Sequence, residues 1–367
     1  MPGRSEIWPV GGSLRRAGMD TLGFVSGRHR GGLCICGRLV SRMENFSAHG
    51  GRLENAARLW PAAPKPWIDL STGINPSAYP APRASRSARS RLPFPEEISE
   101  LESVAGAAFG VTDPASVVAV GGAEVALRLL PRLLRANTVF IESPTYMGHA
   151  DAWAQAGARV VNQTRSAECV VIVNPNNPDG RTHDRDALLA IADRQHERGG
   201  WLVVDESFAE VLDEPSIAAA GHPAIIALRS FGKFYGLAGL RLGFVLAPTD
   251  FAVCLRQCLG DWPISADAIA AGVAAYPDAA WRMRTRTRLT TRSEQLDRLL
   301  ARAGLRVAGG TILFRLVEVD DAAVWFGRLA QAGILTRPFR YAPAWLRFGS
   351  PKSRDITRLG TALGIAP

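Results

Sequence analysis

The amino-acid sequence predicts an α/β protein: a mostly parallel sheet of seven strands, covered by helices on both faces, followed by a smaller α+β domain. Three observations carry this expectation. Short apolar runs alternate with amphipathic stretches between residues 95 and 246. Runs that are apolar throughout suit strands buried on both faces, and the stretches between them supply the crossovers a parallel sheet needs. Polar or glycine-rich clusters follow several of these runs, at the strand ends where open α/β sheets bind ligands. Beyond about residue 262 the alternation stops, and long helical stretches precede short strands.

Taken in order, residues 1–42 hold Gly-Gly pairs and seven Arg against two acids, with no apolar period. They are expected to be a disordered or non-native extension, with Met43 as a natural start; a targeting or regulatory tail is the alternative. Residues 43–94 form an N-terminal segment that contributes to the substrate site. The large, cofactor-binding domain spans 95–262. It opens with an amphipathic helix over 96–109 that Gly110 ends. Strands are expected at 117–120, 138–142, 159–162, 169–173, 201–205, 224–228 and 242–246. Helices are expected from 121 to about 134, over 150–157, and from an Asp184 cap to Gly199-Gly200. The small domain, 263–367, has helices over 266–276 and 278–303 and strands at 311–317 and 345–348. The Ser/Arg-rich stretch 83–91 reads as a surface loop.

Composition narrows the function. At 47% apolar and 21% charged residues, the 367-residue chain can bury a sizeable core and is not disordered. It has no run of about 18 apolar residues that could cross a membrane, and no secretory signal. Five cysteines, Cys34, Cys36, Cys169, Cys254 and Cys258, are an odd number in a long chain, which suits a reducing, cytoplasmic setting. Cys254 and Cys258 share a helix face, but no nearby His or second Cys pair completes a zinc site, so no metal is expected. Of the net charge of +9, residues 1–42 carry +5. The Arg282 to Arg292 cluster lacks interleaved aromatic residues to stack bases, so nucleic acid is not an expected partner.

Four features at strand ends carry chemistry. Gly121-Gly122-Ala123-Glu124 opens a helix after a strand, where free N–H groups and the helix dipole favour a phosphate. Asn174-Pro175-Asn176-Asn177-Pro178-Asp179-Gly180 fixes a rigid turn that holds amide side chains at the sheet edge. Asp205 ends an apolar strand, where a carboxylate needs a partner. Lys233 stands in Ser230-Phe231-Gly232-Lys233-Phe234-Tyr235-Gly236. Small and aromatic neighbours desolvate its amine and make it nucleophilic, while Ser230 and Arg241 bracket it and can bind a phosphate dianion.

Together these features resemble the fold-type I enzymes that depend on pyridoxal 5′-phosphate, and among them the histidinol-phosphate aminotransferase-like subgroup of class I/II aminotransferases, over residues 45–365. The resemblance implies the aspartate-aminotransferase-like fold of the PLP-dependent transferases. It implies that Lys233 holds the cofactor covalently, that Asp205 pairs with its ring nitrogen, that Asn177 donates to its phenolic oxygen and that Tyr146 stacks on its ring. Gly122, Ala123, Ser230 and Arg241 would form the phosphate cup, and Arg347 would clamp a substrate carboxylate bidentately. One position departs: the subgroup's aminotransferases have Tyr three residues after the Asp, where this chain has Phe208.

His49-Gly50-Gly51, followed by Ile68-Asp69-Leu70-Ser71-Thr72-Gly73-Ile74-Asn75-Pro76, resembles the L-threonine-O-3-phosphate decarboxylases of cobalamin biosynthesis. That likeness implies Gly50 and Asn75 at the substrate, Arg337 on a phosphate ester, and Lys233 returning a proton to Cα after carbon dioxide leaves. It implies a homodimer acting on a small phosphorylated amino acid. The alternative is an aminotransferase acting on histidinol phosphate or a related amino acid, whose residue set is nearly the same. A non-catalytic DNA-binding regulator is disfavoured, because residues 1–42 lack the apolar helical pattern of a fused domain.

Overall fold

A computed structural model describes residues 46–47 and 49–365. The expectations for residues 1–42, for Met43 and for Cys34 and Cys36 fall outside these residues.

The main sheet has seven strands: β2 (Val117–Val120), β3 (Thr138–Ile141), β4 (Arg159–Val161), β5 (Cys169–Val173), β6 (Trp201–Asp205), β7 (Ile225–Ser230) and β8 (Gly243–Leu246). Their order is β2-β8-β7-β6-β5-β3-β4. Only β8 runs antiparallel to its neighbours. Strand side chains alternate between faces, so the sheet feeds two cores. Val170, Ile172, Leu202 and Val204 enter one apolar cluster, and Val171, Val203, Ile226 and Leu228 enter the other. Register aligns Val173 with Asp205 and Asp205 with Leu228, so β5 and β6 end together and β7 runs two residues further, to Ser230. The polar groups that follow these strands therefore converge.

The smaller sheet is antiparallel, in the order β12 (Arg337–Phe339), β13 (Ala342–Gly349), β10 (Phe314–Glu318), β9 (Arg306–Thr311). A two-stranded parallel pair joins β1 (Ile68–Asp69) to β11 (Ile334–Leu335). The sequence pattern missed β1, β9, β11 and β12. Two of them are only two residues long, and β9 contains Gly309 and Gly310, which weaken any strand signal.

Residues beyond 262 contribute to both apolar cores. Ala268, Ala271, Trp281 and Leu289 pack in the large-sheet core. Leu296, Leu299 and Leu300 pack in the small one, together with Ala56, Trp60 and Leu70. The helix Ala279–Arg302 thus spans both cores, and the N-terminal segment completes the smaller one. Gly110 ends the helix Pro95–Phe109 in the left-handed conformation, φ 76°, as its position predicts. Asp184 stands at the start of the helix Arg185–His196, but its side chain makes no capping bond there. Residues 83–91 are not entirely loop, since Arg86–Arg89 form a helical turn. Cys254 and Cys258 are exposed free thiols on the helix Thr249–Leu259. Among the described residues no helix is long and apolar enough to cross a membrane, and no His/Cys/Asp/Glu cluster could hold a metal ion.

Candidate active site

The carboxyl ends of β5, β6 and β7, the N-terminal end of the helix Ala123–Leu134, and the small-domain strands β12 and β13 enclose a cavity of about 360 Å3. Ten of the twelve residues expected from the sequence line it: Gly50, Ala123, Tyr146, Asn177, Asp205, Ser230, Lys233, Arg241, Arg337 and Arg347. Gly122 lies directly behind the wall, at φ 94° and without room for a side chain. An added Cβ would stand 2.6 Å from Arg241 Nη2. Asn75 is displaced from its expected place at the substrate. Its Nδ2 donates to the Phe234 carbonyl at 2.9 Å, its Oδ1 accepts from the Ser77 N–H at 2.9 Å, and its own N–H donates to the Lys233 carbonyl at 2.9 Å. An amide held by backbone on both ends braces the turn that carries Lys233 and is not a lining residue of the cavity.

Lys233 follows β7 on the short helix Phe231–Phe234. Burial pushes its amine down to about 8; Arg347 pushes in the same direction, Asp205 opposes, and Arg337 and Arg241 add to the fall. Desolvation disfavours the ammonium, which is how an amine becomes a nucleophile near neutrality. The Nζ lies 5.8 Å from the centroid of the Phe208 ring, which packs edge-on against Phe314 at 5.2 Å. At this position the cavity lining presents a phenyl ring and no phenol.

Asp205, at the end of β6, is 5% exposed. Burial alone would raise its carboxyl. The hydrogen bond and charge of His149 and the N–H and hydroxyl of Ser207 outweigh that and hold it below the usual carboxylate value. His149 Nε2 stands 2.9 Å from Asp205 Oδ2, and His149 is itself 2% exposed. Since the carboxylate can only accept, the imidazole proton sits on Nε2. Sequence reasoning gave His149 no role. The available signal was its place three residues after Tyr146, on the helix Gly148–Gln155 that follows the Pro144 break.

At the cavity mouth, the Tyr146 hydroxyl donates to Glu124 Oε2 at 3.2 Å, while Arg128 Nε donates to Glu124 Oε1 at 2.9 Å. Burial, then the charge of Glu124, raises the phenol far above its usual range, so it stays a neutral donor. Of the three asparagines after β5, two are consumed by the turn. Asn174 Oδ1 accepts from the His183 N–H, and Asn176 bonds Pro144, Thr145 and Asp179. Asn177 alone faces the cavity, where its Oδ1 accepts from Arg347 Nη1.

Arg337 and Arg347 sit directly opposite each other in the β12–β13 ladder. Both guanidiniums are pushed down chiefly by burial, and Arg347 next by the charge of Arg337. Arg347 is 4% exposed, and its Nη groups meet only an amide oxygen and the Ser71 carbonyl, both neutral. Like charges directly opposed on a sheet are destabilising, so this pairing marks a place built for anions.

These groups fit pyridoxal 5′-phosphate. A buried carboxylate suits a protonated ring nitrogen, and a depressed lysine amine suits the aldehyde. The first N–H groups of the helix Ala123–Leu134, which have no partner within the helix, join Ser230 and Arg241 to suit the phosphate. Arg241 itself is left-handed, φ 56°, a strained conformation of the kind that persists at functional sites.

The model of the family "Aminotransferase class I and II" matches residues 81–363. A threonine-phosphate decarboxylase of Pseudomonas aeruginosa is 40% identical over 325 residues, covering 86% of this chain and 96% of that one. One of Sinorhizobium sp is 40% identical over 328 residues, covering 86% and 97%. The solved structure of a histidinol-phosphate aminotransferase from Sinorhizobium meliloti in complex with pyridoxal-5′-phosphate superposes with a TM-score of 0.75, at 20% identity, covering 92% of this chain and 97% of that one.

Proposed function

We propose, for a chain that belongs to the class I and II aminotransferase family and within it to the threonine-phosphate decarboxylases, that it is a pyridoxal-phosphate-dependent carboxy-lyase. It converts L-threonine O-3-phosphate to (R)-1-amino-2-propanol O-2-phosphate and carbon dioxide. The observation that carries this reading is the pair of directly opposed arginines, Arg347 buried and Arg337 half-buried. Two adjacent cations call for a substrate with two anionic groups. O-Phosphothreonine has a carboxylate and a phosphate ester, whereas histidinol phosphate has only the ester.

When bound, the cofactor supplies an aldehyde that captures the substrate amine and a ring that withdraws the electron pair of the breaking bond. Lys233 holds it, Asp205 keeps a proton on its ring nitrogen, and His149 keeps Asp205 ionised. Gly122, Ala123, Ser230 and Arg241 would take its phosphate, Tyr146 would cover its ring, and Asn177 would donate to its phenolic oxygen. Arg347 takes the α-carboxylate, and Arg337, with the Gly50 loop, takes the phosphate ester. Held at both ends by Arg347 and Arg337, the substrate would have one fixed orientation about Cα, and these two residues would thereby select the bond that breaks. Phe208, backed by Phe314, would exclude water beside Lys233. The Lys233 amine returns a proton to Cα once carbon dioxide has left.

The reading extends to a cytoplasmic homodimer serving cobalamin biosynthesis, with a cofactor domain over 95–262 and a small domain over 263–367 that shares the substrate with residues 43–94. The test is incubation of the cofactor-loaded protein with O-phospho-L-threonine, without any keto acid, while carbon dioxide is measured. Release that disappears in Lys233→Ala is expected. No release, together with turnover of histidinol phosphate once 2-oxoglutarate is added, would make the enzyme a transaminase.

A further inference from the structure

One residue outside the expected set touches both the Gly50–Gly51 loop and Arg347. Ser71 is 2% exposed, and each of its polar groups is used. Its N–H donates to Asp69 Oδ1 at 2.9 Å, and its hydroxyl donates to the same oxygen at 2.6 Å. The hydroxyl oxygen accepts from the Gly51 N–H at 2.8 Å. Its carbonyl accepts from Arg347 Nη2 at 3.1 Å. Gly50 packs so closely on that carbonyl that an added Cβ would overlap its oxygen.

Leu70, next to Ser71, ties the same segment to β11, which ends two residues before Arg337, and to β13, which carries Arg347. The Leu70 N–H donates to the Leu335 carbonyl at 2.7 Å, two residues before Arg337. The Gly349 N–H donates to the Leu70 carbonyl at 2.6 Å, two residues after Arg347. The segment 69–71 therefore lies between β11 and β13 and beneath the 49–51 loop. The Asp69 carboxylate fixes the Ser71 hydroxyl as a donor toward itself, which leaves the oxygen lone pair for Gly51. The orientation of that one hydroxyl decides where the loop sits relative to Arg347.

We propose that Asp69 and Ser71 are positioning residues that set the Gly50–Gly51 loop and the Arg347 guanidinium in register, and so determine substrate affinity without touching the cofactor. This rests on Arg347 and the Gly50 loop forming the substrate side of the site. Removing the hydroxyl leaves the Gly51 N–H without its acceptor and frees the loop, while Lys233, Asp205 and the phosphate cup stay as they are. The consequence belongs in KM, with kcat and cofactor binding unmoved.

The experiment uses the cofactor-loaded full chain and O-phospho-L-threonine. Substrate binding is titrated through the visible absorption of the bound cofactor, and KM and kcat are measured through carbon dioxide release. Ser71→Ala and Asp69→Ala should each raise KM and the titration midpoint by about tenfold, the scale of a lost hydrogen bond to a charged partner. Asp69→Asn keeps an acceptor oxygen and should restore most of that loss. The double variant should be no worse than the weaker single one, because both act through one hydroxyl. Gly50→Ala displaces the Ser71 carbonyl from Arg347 with the Asp69 contacts intact, and should raise KM at least as much. It tests the same coupling if Ser71→Ala does not fold. Additive losses, a fall in kcat at unchanged KM, or unchanged affinity in both Ser71→Ala and Gly50→Ala would overturn the proposal. A wild-type protein that binds O-phospho-L-threonine but releases no carbon dioxide would refute the decarboxylase reading alone, and the binding titration would still decide the role of Asp69 and Ser71.

Discussion

The depressed amine of Lys233 yields the sharpest quantitative expectation. Lowered from 10.5 to about 8, it is about one quarter neutral near pH 7.5, against roughly one in a thousand at the ordinary value. That is a gain of some two hundredfold in nucleophilic form. Burial is the main cause and the charge of Arg347 the next, with Asp205 opposing. The sign follows directly: reactivity appears as pH rises through about 8, because the cavity disfavours the charged form. Arg347→Met removes the nearest cation and should move the midpoint up, toward the ordinary lysine value. Asp205→Asn removes the opposing charge and should move it further down. The assay is competitive acetylation of the cofactor-free protein across a pH series, read on the Lys233 peptide by mass spectrometry. The chain has only three lysines, Lys65, Lys233 and Lys352, so assignment is direct. A midpoint near 10.5 in the wild type, or a downward move in Arg347→Met, would refute the electrostatic account of this site.

His149→Phe removes the buried donor that holds Asp205 ionised, and a lost hydrogen bond to a charged group should lower kcat by roughly ten- to a hundredfold. Because the folded Asp205 carboxyl lies below its unfolded value, its stability contribution is present above the ordinary carboxylate pKa and fades as pH falls through the folded one. The acid-unfolding midpoint, followed by circular dichroism, should therefore rise in the variant. Phe208→Tyr places a phenol where the cavity lining presents a phenyl ring and supplies the cofactor's phenolic oxygen with a donor. The yellow form of the bound cofactor should then give way at lower pH than in the wild type, and an unchanged absorption titration would refute this. Arg229 pairs with Glu206 and Glu210 at 3.0 Å each, all three buried. Arg229→Met should cost about 3–5 kcal/mol, because two buried carboxylates lose their counter-charge; thermal unfolding measures it.

The sheet was legible in the sequence because its physics is local. Val170 to Val173 or Leu202 to Val204 can only be strands covered on both faces, and register then gathers whatever polar residues follow them. That is why Asn177, Asp205, Ser230 and Lys233 could be placed together from spacing alone. Asn75 is a different case: its place at the substrate is implied by the family resemblance alone, and its amide is spent on the backbone of Phe234 and Ser77. His149 was overlooked because nothing in a sequence distinguishes a buried imidazole that serves a carboxylate 56 positions away from one that merely fills space.

The small domain shows where pattern reading stops. Arg337 and Arg347 are ten residues apart, and one sits on a strand of only three residues, too short to announce itself. Their direct opposition exists only once β12 and β13 fold back on each other, and the register shift between Pro338 and Phe339 sets it. A ladder that sets a half-buried guanidinium opposite a buried one breaks the local rule for cross-strand pairs. Such a breach is expected where function outweighs stability. Ser71 belongs to the same class. Its hydroxyl and carbonyl look like ordinary turn chemistry until the strands on either side of it prove to be β13, which carries Arg347, and β11, which leads into Arg337. The specificity of this site therefore resides in tertiary register, in the small sheet and the segment beneath it, while its cofactor chemistry resides in strand ends that a sequence can display.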